Sequence, residues 1–354
     1  MFFEILINYI LPIIYNSSIS LILVLFILFI FRIKDSNIRI LFLFLPLIKP
    51  FLIIIEKINL NEEFFKYRPG VLGIRLPSPN TIINRIDSFH KSPVSFSNMN
   101  YLIMTLIISS IIFVLIIRWI NLYLFYKNLS YEEKVERKDV PDIFNIIDKF
   151  IEKNSIKYPS ISLTHKKFFS PFIIGIKNYT LVLSPNLLDK LSTGEKETLI
   201  HHELSHVKRK DNLISWIALI LRDLLFFNPV AYIAYYLIRV EQEKASDKLV
   251  LIYSKKQPKE IAKNILNIIL KIKSFHLDKL KIKNNIYQGA SFLPLIKFNQ
   301  ILIKDRINSL IKTKPNKVHC HIIFKITMSA LFIILLLVQI ILIAKVGNTF
   351  VFLR

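Results

Sequence analysis

Residues 199–213 read LIHHELSHVKRKDNL, and His202-Glu203-Leu204-Ser205-His206 within them is an HExxH pattern. On a helix, positions four apart lie one above the other, so both imidazoles can reach one tetrahedral ion. Glu203, the next residue along, can reach a water at that ion as general base. His201 points about 100° away from His202 at 3.6 residues per turn and is the histidine left out. Ser192 and Glu195, three residues later, form the signature of a capping box that starts this helix.

A catalytic zinc needs a third protein ligand and an open position. The stretch EQEKASDKLV (241–250) offers Glu243 and Asp247, four apart and facing the same way on an expected helix. Glu243 suits the third position, and Asp247 can accept a hydrogen bond from a ligand histidine and fix its tautomer. Glu241 is a rival ligand. The plain alternative for the pair is a solvated face shared with Lys244 and Lys248.

This motif sits in a greasy chain, 53% hydrophobic with a mean hydropathy of +0.46. Four apolar stretches approach the roughly 20 residues needed to cross a bilayer. They lie within Ile5–Phe31, within Ile40–Ile55, from Tyr101 onward, and along Ile326–Ala344. The second is short and interrupted by Lys49-Pro50, and Asn16-Ser17-Ser18 clouds the start of the first. The N-terminus has no positive n-region and no small-residue cleavage site, so no cleaved signal peptide is expected.

Net charge is +23, and its distribution orients the chain. Between Arg118 and Lys325 there are 36 Lys and Arg against 19 Asp and Glu, and the turn at 32–39 carries Arg32, Lys34 and Arg39. The positive-inside rule puts that turn and 118–325 in the cytoplasm, with both termini outside. The basic surplus reads as surface beside anionic lipid, and no motif for direct nucleic-acid binding accompanies it. The single Cys320 excludes an internal disulfide framework, and His319-Cys320-His321 is too cramped to converge on one ion.

The expected fold class is a mainly α membrane protein, with about four transmembrane helices and an inserted α+β zincin-like cytoplasmic metallopeptidase domain. Residues 1–55 hold two spans and a short cytoplasmic turn, 56–100 an extracytoplasmic loop, and 101–126 the third span. Residues 127–320 form the cytoplasmic domain, and 321–354 the fourth span with a short external tail. Ile143, Ile146, Ile147, Phe150 and Ile151 recur at helical spacing, and ISLTH (161–165) and TLVLS (180–184) read as strands around SPFIIG (170–175). The apolar run 213–240 is broken by Arg222-Asp223 and Asn228-Pro229. A fifth membrane element is one reading, but the charged pair and the Pro favour two helices, packed on the spans or lying in the membrane interface. KQPKEIAKNILNIILKIK (256–273) reads as an amphipathic surface helix facing lipid headgroups.

SPFIIG, VLSP (182–185), LSTGEKETLIHHELSHVKRKDNL (191–213), FNP (227–229) and EKASD (243–247) together resemble one family. It is the integral-membrane zinc metallopeptidases of the β-lactam sensor-transducer (BlaR/MecR) type, a branch of the gluzincins. The resemblance implies His202, His206 and Glu243 as Zn²⁺ ligands, Glu203 as base and Asp247 behind the ligands. It further implies that Thr180, Leu181, Val182 and Leu183 form an edge strand that takes a substrate peptide by β-addition. Ser246 stands where relatives tend to have Cys. SFHK (88–91) and SLIK (309–312) match a bare SxxK with no accompanying KTG, and the ten residues after the last span leave no room for a penicillin-binding domain. Sensing of β-lactams by this chain is therefore not expected.

The function implied is a zinc metalloendopeptidase in a bacterial cytoplasmic membrane, multi-pass, cleaving a cytoplasmic regulator such as a repressor, or itself, in signalling. Membrane lipids and a second copy of the chain are counted as partners. His165, Tyr232, Tyr235, Tyr236 and Arg239 are the available oxyanion donors. A quality-control or prenyl-protein-type membrane protease shares HExxH with a later ExxxD, but SPFIIG and RKDNL favour the sensor-transducer type. A silent zinc scaffold would have no use for Glu203.

Overall fold

The computed structural model describes residues 10–57, most of 109–127, 134–154, 156–164, 170–254, 256–280, 300–312 and 327–337. The 56–100 loop beyond residue 57, the start of the third span, His165 and His319-Cys320-His321 lie outside the described residues.

Helix α1 (Leu11–Ile30) is, among the described residues, long and apolar enough to cross a membrane. Asn16, Ser17 and Ser18 do not interrupt it, because their side chains bond back to the carbonyls of Pro12, Ile13 and Ile14. Such bonds to the preceding turn let polar residues sit inside an apolar helix. The stretch expected as a second span holds two abutting helices, α2 (Ser36–Leu43) and α3 (Leu45–Lys57). Asp35 caps α2 by accepting from the Asn37 and Ile38 backbone. Only Phe44 divides the two helices, and its φ of −74° and ψ of −22° are themselves helical. Two shorter apolar helices lie within the stretches expected as third and fourth spans, α4 (Leu115–Phe125) and, near the end of the chain, Thr327–Leu337.

The domain begins with α5 (Pro141–Asn154), which buries Ile143, Ile147 and Phe150 on one face, as the spacing predicts. Strands β1 (Ser160–Leu163), β2 (Phe172–Ile174) and β3 (Thr180–Leu183) make a sheet in the order β1-β3-β2. β3 pairs parallel with β1 and antiparallel with β2. The expected edge strand Thr180–Leu183 is therefore the central strand. Its backbone groups are engaged on both sides, so it has no side open for β-addition. Gly175 turns the chain between β2 and β3 at φ +95°, where a Cβ would stand 1.9 Å from the Asn178 carbonyl oxygen.

A short helix, α6 (Pro185–Leu188), leads to α7 (Thr193–Arg209), which carries the HExxH motif. The capping box forms in full: the Ser192 N–H donates to the Glu195 carboxylate at 2.9 Å, and Glu195 N–H donates to Ser192 Oγ at 3.3 Å. Ile200, Leu204 and Val207 of α7 complete a core with α5 and the sheet. α7 ends on Lys210, a left-handed non-glycine residue at φ 57°, and α8 (Asp211–Leu224) starts at once. α9 (Pro229–Ser254) follows with Pro229 in its first turn, where a missing N–H is harmless. The run 213–240 forms two helices that part at Leu225–Asn228, as Asn228-Pro229 predicts, while Arg222-Asp223 do not break the chain and lie inside α8.

α8, α9, α1, α2 and α3 share a second apolar cluster with Leu122 and Met328. α10 (Pro258–Leu280) packs on α7 and α9 through Ile261, Ile265, Ile268 and Ile272. The apolar side of the expected headgroup-facing helix is thus part of the domain core. Last in the domain, α11 (Gln300–Ile311) packs on α9 and α10 through Ile307 and Leu310.

Candidate metal centre

α7 and α9 run against each other and bring one polar face of each together. One ligand atom from each of His202, His206 and Glu243 lies within 4.8 Å of the others. The two Nε2 atoms are 3.3 Å apart, and Glu243 Oε2 is 3.3 Å from His202 Nε2. Glu243 Oε1 is 3.7 Å from His206 Nε2. Donors each about 2.0–2.1 Å from a tetrahedral ion stand about 3.3 Å from one another. The two nitrogens have that spacing, and Glu243 approaches each of them through a different oxygen.

The other nitrogen of each imidazole faces a carboxylate. His202 Nδ1 is 3.0 Å from Asp247 Oδ1. The approach is short but poorly aligned, since Nδ1 finds no partner by angle. His206 Nδ1 is 2.8 Å from Asp211 Oδ2 and 3.0 Å from Ser246 Oγ. Such partners fix which nitrogen carries the proton and leave Nε2 for an ion. Burial opposes a charge on His202, yet Asp247 and Glu243 raise its pKa to about 10 in the metal-free site. Burial acts against the carboxylates too, but Arg306 holds Glu243 well below the usual range and brings Asp247 down to about 2. Glu203 behaves oppositely: burial raises it, only partly countered by His202 and His206. A carboxyl lifted in this way is suited to accept and return a proton.

His201 is buried, packs on the Phe150 ring at 5.3 Å, and has its pKa lowered by burial to about 4. Glu241 is 2.9 Å from Arg39 Nε on α2, turned away from the cluster. His202, Glu203, His206 and Glu243 open onto a cavity of about 160 Å³. Ser170 to Ile173 form one wall and α10 isoleucines another. Thr180 to Leu183 are not among its lining residues.

With this geometry in place, comparison with known proteins assigns the family. A family model described as BlaR1 peptidase M56 matches residues 15–285. The chain belongs to the BlaR1 peptidase M56 family. Its relatives include a protease HtpX homolog of Bacteroides fragilis, 30% identical over 79 residues, 22% of this chain and 24% of that protein. The methicillin resistance mecR1 protein of Staphylococcus aureus is 26% identical over 133 residues, 36% of this chain and 23% of that protein. A protease HtpX homolog of Lactobacillus helveticus is 24% identical over 134 residues, covering 37% and 45%. The chain thus spans less than half the length of each of these relatives.

Three residues beside the peptidase-family motif have roles that the sequence reading did not assign. Asp211 stands five residues after His206, and only the left-handed Lys210 folds it back to that imidazole. Asn212 donates to the carbonyls of Ile173 and Gly175 at 3.1 and 2.9 Å and so fixes β2 beside the cavity. Arg306, beyond the matched range, donates twice to Asp247 at 2.8 Å and approaches Glu243 Oε2 to 3.3 Å. Asp211 and Asn212 could have been found in RKDNL. Nothing in the sequence near 306 marks its arginine. Of the expected oxyanion donors, Arg239 lines the cavity, while Tyr232 and Tyr235 lie against Arg222. Arg239 Nη1 donates to Ser215 Oγ and Gln242 Oε1, which holds its guanidinium at the cavity wall.

Proposed function

We propose that the chain is a zinc metalloendopeptidase held in a bacterial cytoplasmic membrane by several spans, with its peptidase domain in the cytoplasm. One observation carries the reading: one ligand atom from each of His202, His206 and Glu243 lies within 4.8 Å of the others, beside a buried glutamate with a raised pKa. His202, His206 and Glu243 would hold the ion, with Asp247 and Asp211 orienting the imidazoles. A zinc ion there would supply Lewis acidity towards a peptide carbonyl and lower the pKa of a water.

The protein's own residues do the rest. Glu203 takes the proton from the attacking water and returns it to the leaving amine. Arg239 supplies donors for the developing oxyanion. A substrate segment lies along Ser170–Ile173, the strand wall of the cavity. The substrate we favour is a cytoplasmic regulator or the chain itself, in a signalling event, as the sensor-transducer resemblance implies. Membrane lipids, and a second copy of the chain, are the other partners proposed.

The test uses full-length protein in detergent, with bound zinc and proteolysis measured together. Glu203→Ala should keep zinc and lose cleavage, while Glu243→Ala should lose zinc. Zinc-free wild-type protein under metal-replete conditions would overturn the metal site. The second reading is a quality-control or prenyl-protein-type membrane protease, which the similarity to proteins named protease HtpX homolog supports. Digestion of unfolded proteins at many sites, rather than cleavage at one, would favour it.

A further inference from the structure

We propose that α8 and the first half of α9 form a re-entrant hairpin sunk into the lipid beside the spans, with acyl chains covering its outer face. The inference rests on the membrane reading above and adds an element to it.

Contacts at both ends of the hairpin set its depth. At its tip, Asn228 Nδ2 donates to Ser17 Oγ at 2.9 Å, with both side chains fully buried. Ser17 lies thirteen residues before the end of α1 at Ile30, about 20 Å at 1.5 Å per residue. At the other end the basic turn following α1 meets the top of α9. Arg39 pairs with Glu241 at 2.9 Å, Lys248 Nζ donates to the Lys34 carbonyl at 3.1 Å, and Arg209 reaches Asn37. From that level α8, with fourteen residues, descends about 21 Å. The two lengths agree. The tip therefore lies about two-thirds of the way through a hydrocarbon core of about 30 Å.

The surface chemistry suits that depth. Leu213, Ile217, Ile220 and Leu224 form a helical stripe on α8 that is 40–56% exposed, and Tyr232 and Ile233 on α9 are exposed as well. Between Asp211 and Arg239 the only charged residues are Arg222 and Asp223, both buried. They pair at 2.7 Å, Arg118 of α4 approaches Asp223 at 3.3 Å, and Tyr235 covers the Arg222 guanidinium. Charges at membrane depth are tolerated when paired and turned inward. Three backbone N–H groups around the tip are bonded within the hairpin. Leu225 N–H donates to Leu221, Asn228 N–H to Leu225, and Val230 N–H to the Asn228 side chain. Hydrocarbon demands this closure of any backbone placed within it. Asp211, beside the metal centre, then lies at the membrane surface, and the enzyme would cut segments held close to the bilayer.

The test is spin-label depth measurement on full-length protein in liposomes. Cys320→Ser is the background, with single cysteines at Leu213, Ile217, Leu224, Phe26 of α1 and Lys196 of α7. Relative accessibility to oxygen and to a water-soluble nickel chelate reports depth. Leu224 should lie about 16 Å deeper than Leu213, from eleven residues of helix rise, with Ile217 between them and Lys196 aqueous. Equal aqueous exposure at Leu213 and Leu224, with Phe26 in lipid, would overturn the hairpin and leave the membrane reading intact. Aqueous exposure at Phe26 would overturn both. Should the cysteine variants misfold, Trp119→Phe leaves Trp216 of α8 as the lone tryptophan. Its quenching by lipids brominated along the acyl chain would support the hairpin, and its absence would overturn it.

Discussion

The two histidines of the motif lie one turn apart on a single helix, yet different regions of the molecule hold them. His206 is held locally: its partner Asp211 is five residues on, across the left-handed corner at Lys210. His202 is held at long range, by Asp247 on α9, which Arg306 on α11 fixes from 59 residues further along the chain. The local half depends on one tight turn. The distant half exists only when α9 is docked on α7, and α11 on α9 and α10. His206 thus has one partner set by local geometry and a second, Ser246, on α9, whereas both carboxylates beside His202 come from α9.

Arg306→Ala should break the distant half most severely. It leaves Asp247 and Glu243 buried without their shared cation, and removing one partner of a buried ion pair costs about 3–5 kcal/mol. Thermal unfolding of the metal-free protein should show this loss, and an unchanged midpoint would mean that α11 is not docked as described. Next comes the contrast between the two carboxylates. Asp247→Asn and Asp211→Asn should each weaken zinc binding, by about 10–100-fold for groups of this kind. The Asp247 change should be the larger, because Asp247 anchors both His202 and Arg306, whereas Ser246 still touches His206 in Asp211→Asn. Equal losses, measured by chelator competition, would erase the distinction between the halves.

The smallest effect belongs to the start of α7, which serves both histidines alike. Ser192→Ala should cost about 1 kcal/mol of stability and leave zinc affinity unchanged. The same cap sets a pH dependence. Burial disfavours the Glu195 carboxylate, but Lys271 and the Ser192 N–H outweigh it and lower its pKa. A depressed carboxyl stabilises the fold above its unfolded pKa and loses that contribution as pH falls through the folded one. Glu195→Gln should therefore flatten the acid limb of stability against pH, below the ordinary glutamate range.

Much of the centre was legible because it is helical. HExxH, the capping box and the Glu243/Asp247 pair are patterns of three and four residues, and each position follows from the turn of one helix. Where the reading failed, the failures share a cause. TLVL has the composition of a strand, but whether a strand lies at an edge depends on what pairs with it, and β1 and β2 close on it from both sides. KEIAKNILNIILKIK has a basic and an apolar face, and nothing within it says that the apolar face covers α7 instead of lipid.

The sequence alone determined the motif helix, its capping box, the shared face of His202 and His206, that of Glu243 and Asp247, and the apolar character of α1. Backbone hydrogen bonds within a helix set the relative direction of residues three or four apart, whatever surrounds them. Only the tertiary structure decided that Asp211 and Arg306 complete the two halves, that β3 is central and that the 213–240 run folds into a hairpin against Ser17. These depend on the path of the chain over tens or hundreds of residues, where burial and charge pairing between elements, and not the local turn, select the partner.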